Sequence, residues 1–173
     1  MSRRIPLITW CLFYVWYAWA IALQSYLASP ERLGPWTPEF AIVLLIAVEG
    51  SLPKREAAGV AIGLALFRTV FSADPPFAAL SGLLGLAWTL GAMRELLLIE
   101  RVIARTTLAF LASLGFLTWL TFAHARADQV AFQPDLFAML LTALGTASAT
   151  LVGVPILRKL PGLTPLWQRR FVT

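Results

Sequence analysis

From Ile5 to Leu27 the sequence carries no charged side chain, and from Leu136 to Leu157 it again carries none. A helix needs about 20 apolar residues to cross the hydrocarbon core of a bilayer, so either run is long enough to span one. The remainder of the chain is built the same way, in apolar stretches broken by short polar or basic turns. With 59% hydrophobic and 13% charged residues and a mean hydropathy of +0.76, there is too little polar surface to cover a water-soluble domain of 173 residues. The sequence therefore reads as an all-α integral membrane protein, with residues 1–173 forming a single polytopic transmembrane domain. Its formal charge of +5 is scattered between apolar runs and gathers on no single face, which reports topology and gives no footing for nucleic acid. Cys11 lies inside an apolar run with no second cysteine in the chain, so it forms no intrachain disulfide, and a metal or redox role is not expected of a buried lone thiol.

Six segments emerge: Ile5 to Leu27, Pro38 to Leu52, Ala57 to Phe71, Phe77 to Met93, Thr106 to Ala123 and Pro134 to Leu157. The second and third are short, at roughly 22 Å each for a rise of 1.5 Å per residue, and would span with help from flanking residues or local thinning of the bilayer. Cytoplasmic loops collect Lys and Arg. Arg3, Arg4, Lys54, Arg55, Arg94, Arg101, Arg105, Arg158, Lys159, Arg169 and Arg170 all fall on one side of this layout, against Arg32 and Arg126 on the other. The expected architecture is a compact bundle of six transmembrane helices with N and C termini cytoplasmic. A re-entrant hairpin made of segments two and three would bury Lys54 and Arg55 at membrane depth, at a cost of a few kcal/mol each, roughly. The first segment is expected to remain as an uncleaved helix, because Tyr26 stands where a signal-peptide cleavage site needs a small residue.

Two inward-running segments open on the same phrase, Pro38-Glu39 and Pro134-Asp135. Proline suits the first helical position, where its missing N–H would be unsatisfied anyway, and a carboxylate in the first turn meets the positive end of the helix dipole. The phrase is thus first a helix-start signal at the outer interface. Small-residue spacings, Gly59 with Gly63, Ser81 with Gly85, and Gly145, Ala149 and Gly153, predict close helix contacts and place segments three, four and six at the centre of the bundle. Tyr26, Trp36 and Trp167 fall at boundaries and read as interfacial anchors. The intramembrane charges are Glu49, toward the inner end of segment two, and Arg68, toward the outer end of segment three. Opposite depths argue against a direct pair, and each is expected to snorkel to its own interface. The stretch Arg94 to Arg105 reads as an amphipathic cytoplasmic extension of the fourth helix.

Nothing in the sequence assembles a catalytic centre. His124 is the only histidine, and no HExxH, CxxC or Gly-Lys-Ser/Thr phosphate loop is present. The outer carboxylates Glu31, Glu39, Asp74, Asp128 and Asp135 are expected to be solvated. No catalytic residue, cofactor or metal site is expected, and the chain reads as a non-enzyme.

The residues resemble the bacterial rod shape-determining protein MreD family. The likeness lies in the chain length, the helix count, the start "PEF" at Pro38-Glu39-Phe40, the basic turn "SLPKREAAG", the glycine-containing third helix and the closing phrase "VPILRKL" from Val154 to Leu160. It covers most of the chain. Family members carry an aspartate where Thr69 stands and a glycine where Ala73 stands, so a function tied to that aspartate is not carried over. The resemblance implies a non-enzymatic scaffold of the cell-wall elongation machinery in the bacterial inner (plasma) membrane. Its implied partners are MreC and the RodA glycosyltransferase with its class B penicillin-binding transpeptidase, besides membrane lipids. On that reading Pro38, Glu39, Gly59, Gly63, Pro155 and Arg158 determine shape or interface. The alternative is the substrate-capture subunit of an uptake transporter, a compact six-helix protein of similar implied fold. A polar pocket at the outer end would favour the transporter, and a hydrophobic lateral groove the scaffold.

Overall fold

The computed structural model describes residues 5–49, 51–72, 74–93 and 102–167. Helices α1 (Leu7–Leu27), α2 (Phe40–Glu49), α3 (Lys54–Phe71), α4 (Pro76–Met93), α5 (Val102–Ala127) and α6 (Leu136–Leu157) follow one another, with a 3-10 turn at Gly34–Trp36 and a short α7 (Thr164–Trp167) after α6. No strand occurs among the described residues. Four helices, α1, α4, α5 and α6, are long and apolar enough to cross a membrane. Arg94 to Arg101, most of the expected amphipathic extension, and Ala73 lie outside the described residues.

Helix directions alternate, as side-chain contacts at the two ends show. At one end the α1 residue Gln24 meets Phe40 at the start of α2, and Arg68 near the end of α3 meets Glu39 and Asp74. There too, His124 near the end of α5 meets Asp74. At the other end Glu49 of α2 and Lys54 of α3 both lie beside Gly91 of α4. The longer helices bury one stripe each: Thr9, Phe13, Tyr17 and Ile21 on α1, and Met139, Ala143, Thr146, Thr150 and Val154 on α6. Spacings of three and four residues put these side chains on a single face. The opposite faces stay apolar, with Trp19 and Trp88 more than two-thirds exposed, as lipid-facing surfaces require. Cys11 sits on such an exposed face of α1, so the expectation of a buried thiol is corrected.

The centre of the bundle is not where the glycine spacings pointed. It is α2, in which every residue from Ala41 to Glu49 is buried, and which touches α1, α3, α4, α5 and α6. "FAIVLLIAVE" is apolar on all sides until its last residue, the pattern of a helix enclosed by others. At ten residues it is about 15 Å long, half the usual hydrocarbon thickness. Its length is sufficient because it is solvated by protein along its whole length.

The glycines divide accordingly. A Cβ on Gly145 would run into the backbone carbonyl of Trp36, so α6 and the 3-10 turn meet backbone to backbone there. One on Gly63 would strike the Tyr14 ring, which is stacked on Phe67 with ring centroids 5.4 Å apart. Gly59 and Gly85 have open space where a Cβ would go. The Gly59/Gly63 spacing is thus not one contact: only Gly63 is a close approach within the chain.

Helix starts also shift from expectation. Pro38 and Glu39 precede α2, and Pro134 and Asp135 precede α6, so neither proline holds the first helical position. Asp135 caps α6 by accepting from the Ala138 N–H at 3.0 Å. Glu39 instead turns its carboxylate to Arg68, leaving its own N–H to Thr146 Oγ1 at 3.0 Å. Two identical phrases thus diverge in use. Among the expected anchors, Trp36 and Tyr26 are exposed, the latter beneath the Arg32 guanidinium, whereas Trp167 packs against the core.

The glycine environments set an ordered expectation. Gly145→Ala should destabilise the bundle by about 1–3 kcal/mol through overpacking against immovable backbone. Gly59→Ala should be neutral or stabilising by up to about 1 kcal/mol from helix propensity. Thermal unfolding of the two variants in detergent checks the order.

Candidate functional site

A connected cluster of polar side chains lies at the end away from the basic turns, where α2 and α6 begin. Arg68, one turn from the end of α3, is the hub. Its guanidinium is 12% exposed and pairs with both Glu39 carboxylate oxygens, the Nη2 contact to Oε1 measuring 3.4 Å, while its Nε donates to Asp74 Oδ2 at 2.8 Å. Asp74 stands in the turn between α3 and α4, and its other oxygen meets His124 Nε2 at 3.0 Å. Ser72 donates to Asp74 Oδ2 at 2.7 Å and receives the Asp74 N–H at 3.2 Å. The face of the guanidinium lies 5.1 Å from the centroid of Phe116 on α5, a distance at which the ring quadrupole attracts the cation.

A second layer fastens the start of α2. The free N–H groups of Glu39 and Phe40 go to Thr146 Oγ1 on α6 and Gln24 Oε1 on α1, at 3.0 and 3.2 Å. Thr146 donates onward to Thr142 O at 2.8 Å and receives Ser113 of α5 at 3.3 Å. Tyr17 of α1 donates to Leu64 O of α3 at 3.0 Å. These bonds satisfy the orphan N–H groups of a buried helix start. The cluster engages α1, α2, α3, α5 and α6, and Trp119 Nε1 ties α4 to α5 through Ala78 O at 2.9 Å.

Two expectations are corrected here. Arg68 does not snorkel: its charge is held inside by Glu39 and Asp74. Of the outer carboxylates, Glu39 and Asp74 are gathered into this cluster, while Glu31, Asp128 and Asp135 are exposed. Glu49 does not snorkel either; it is 1% exposed, with Oε1 3.3 Å from where a Gly91 Cβ would stand. Pro38 is buried beside the cluster, whereas Pro155 and Arg158 lie exposed at the far end of α6. Asp74 and His124 each stand out in the sequence, but nothing in their spacing joins them.

Chemically the cluster is a structural tie. The Ser72 hydroxyl points into the Asp74 carboxylate and not at the imidazole, so it is not the nucleophile–base contact of a hydrolase. Among the described residues no group of three His, Cys, Asp or Glu is placed to hold a metal ion. Burial by itself would raise the Asp74 carboxyl. The Arg68 charge and the hydrogen bonds from His124, Ser72 and Arg68 outweigh it and hold the group below its usual range.

A large concave feature lies elsewhere among the described residues, on the side of the bundle. A groove of about 650 Å³ runs between α1 and α6, with α2 as its floor. Trp16, Trp19 and Tyr26 form one wall, Val43 and Leu44 part of the floor, and Ala149 and Gly153 part of the other wall. The α1 wall repeats at Trp16, Trp19, Ala20 and Leu23, and the α6 wall at Ala149, Gly153 and Ile156, both at helical spacing. A smaller depression of about 330 Å³ beside His124 is lined by Thr121, Asp128 and Gln133 among others.

The chain matches no family model, no curated protein and no solved structure. Its functional reading therefore rests on its own residues and geometry.

Arg68→Gln should cost about 3–5 kcal/mol, because it leaves Glu39 buried without its cation. The Arg68→Gln/Glu39→Gln double variant should recover part of that loss, as a double-mutant cycle on thermal unfolding would measure. For Asp74 the folded-state pKa lies below the unfolded value. Its contribution is therefore complete above the ordinary carboxylate range and is lost as pH falls through the folded pKa. Unfolding midpoints followed from pH 7 to pH 3 should fall more steeply in the native protein than in Asp74→Asn.

Proposed function

We propose that this chain is a non-enzymatic membrane scaffold that binds another membrane protein's helix in its lateral groove. The observation that carries the reading is the groove itself: its apolar side chains are set on two walls at helical spacing, open sideways to lipid, with no polar group suited to a reaction. Trp16 and Trp19 offer broad apolar faces and Gly153 a close backbone approach, as helix-in-groove recognition requires. The floor is α2, whose position is held by the Glu39–Arg68–Asp74 cluster, so the groove is presented by a rigid element.

Within that reading the chain sits in the bacterial inner membrane as six helices with both termini cytoplasmic. The basic residues Lys54, Arg55, Arg105, Arg158 and Lys159 share one end of the alternating bundle, in keeping with the positive-inside rule. The resemblance to the MreD family names the partners: MreC, and RodA with its class B penicillin-binding transpeptidase, in the machinery that elongates the cell wall. The depression beside His124 is the feature that favours a second reading, a substrate-capture subunit of an uptake transporter, because Thr121, His124, Asp128 and Gln133 line it and it lies at the outer end.

Affinity purification of the tagged native protein in mild detergent, with mass spectrometry of what co-purifies, separates the two. MreC or the RodA–transpeptidase pair is the expected outcome, and an ATP-hydrolysing transport module would overturn it. A Cβ on Gly153 would meet only Val43 Cγ1, at 3.7 Å. Gly153→Leu should therefore fill the groove without disturbing the core. It should reduce MreC recovery about tenfold while leaving the unfolding midpoint within a few degrees of the native value.

A further inference from the structure

The other end of the bundle holds a charge that no described residue answers. Arg105 lies in the first turns of α5 on the stripe it shares with Leu108, Ala109 and Ala112, so it faces the bundle and not the solvent. The residue is 6% exposed, its Nε is enclosed, and that Nε has no hydrogen-bond partner. Among the described residues no carboxylate forms an ion pair with it. Among the described residues the neighbouring charge that acts on it is Arg158, the exposed C-cap residue of α6, and that interaction is repulsive. A guanidinium this buried beside a second cation is costly, and an anion at its accessible edge relieves the repulsion.

We propose that Arg105 and Arg158 form a binding site for the phosphate of an anionic phospholipid headgroup. The two terminal Nη groups of the guanidinium offer paired N–H donors, a fork that matches two oxygens of a phosphate, and Arg158 supplies a second cation. Position favours a lipid as the source. Arg105 precedes the apolar run that begins at Thr106, and Arg158 ends the one that closes at Leu157. Both therefore stand where hydrocarbon gives way to headgroups, at the basic end of the bundle, the arrangement by which pockets between spans bind acidic lipids. Free phosphate compounds share the chemistry but lack the tail. The site is independent of the scaffold reading, since it uses neither the lateral groove nor the outer cluster.

Native mass spectrometry of the full chain in detergent, titrated with phosphatidylglycerol or phosphatidylcholine, tests the proposal. Phosphatidylglycerol should be retained in preference to phosphatidylcholine. Arg158→Gln, at an exposed position that leaves folding intact, should weaken that retention about tenfold, and Arg105→Gln at least as much. Arg105→Lys should recover only part of the loss, because a point charge lacks the fork. Arg126→Gln, at the opposite end, should bind as the native protein does. Equal phosphatidylglycerol retention by native, Arg158→Gln and Arg126→Gln proteins would overturn the site. Glycerol 3-phosphate should fail to displace the lipid at equal concentration; displacement would assign the site to a soluble phosphate and overturn the lipid as its ligand.

Discussion

A guanidinium inside a membrane protein is costly without an anion beside it, and the Arg68 side chain has two. Glu39 reaches it from the start of α2 and Asp74 from the turn that begins α4, so one cation fixes where two other helices enter the bundle. Breaking such a pair costs far more than it contributes relative to an apolar replacement. Its value is therefore less in net stability than in specifying a single arrangement. Any register of α3 that moved Arg68 by one residue would turn its guanidinium away from both carboxylates.

The groove follows from that constraint. With α2 held centrally, α1 and α6 lie on opposite sides of it without closing on each other, and the gap between them has α2 for a floor. A helix bundle assembled only by small-residue contacts would have drawn these two together. Here the bulk of Trp16 and Trp19 faces Ala149 and Gly153 across open space, leaving a surface that is apolar, shaped and unfilled by the described residues. Protein-facing surfaces in lipid depend on this kind of shape matching, because burial from water supplies little drive between helices.

Much of the architecture is legible in the sequence, since lipid imposes simple rules. The charge-free runs, the basic turns and the ends of α1, α3, α4 and α6 can be read within a few residues. The centre of the bundle is less legible. Gly59 and Gly63 share a helical face by spacing, but whether a neighbour approaches depends on where Tyr14 points, which is a tertiary fact. Likewise "PEF" and "PDL" are locally equivalent, and only the placement of Arg68, 29 residues after Glu39, turns one carboxylate into an ion pair while the other caps its helix. The signal that could have joined Glu39 to Arg68 was their shared outer depth. Asp74 and His124 share that depth too but sit 50 residues apart, and nothing in their spacing joins them. Arg105 looked like one more cytoplasmic arginine until its burial was visible.

The enclosure of α2 has a consequence for how the chain is made. A ten-residue helix of about 15 Å offers a bilayer too little length to be stable alone, and its first residues need Gln24, Arg68 and Thr146 for partners. Two of those three are synthesised after it, the last near the end of the chain. Helix α2 therefore cannot take its final place as it leaves the ribosome. It must wait at the membrane, with Glu39 still hydrated, until α3 brings the cation and α6 closes the cage, so that insertion of this protein finishes only when its last long helix has arrived.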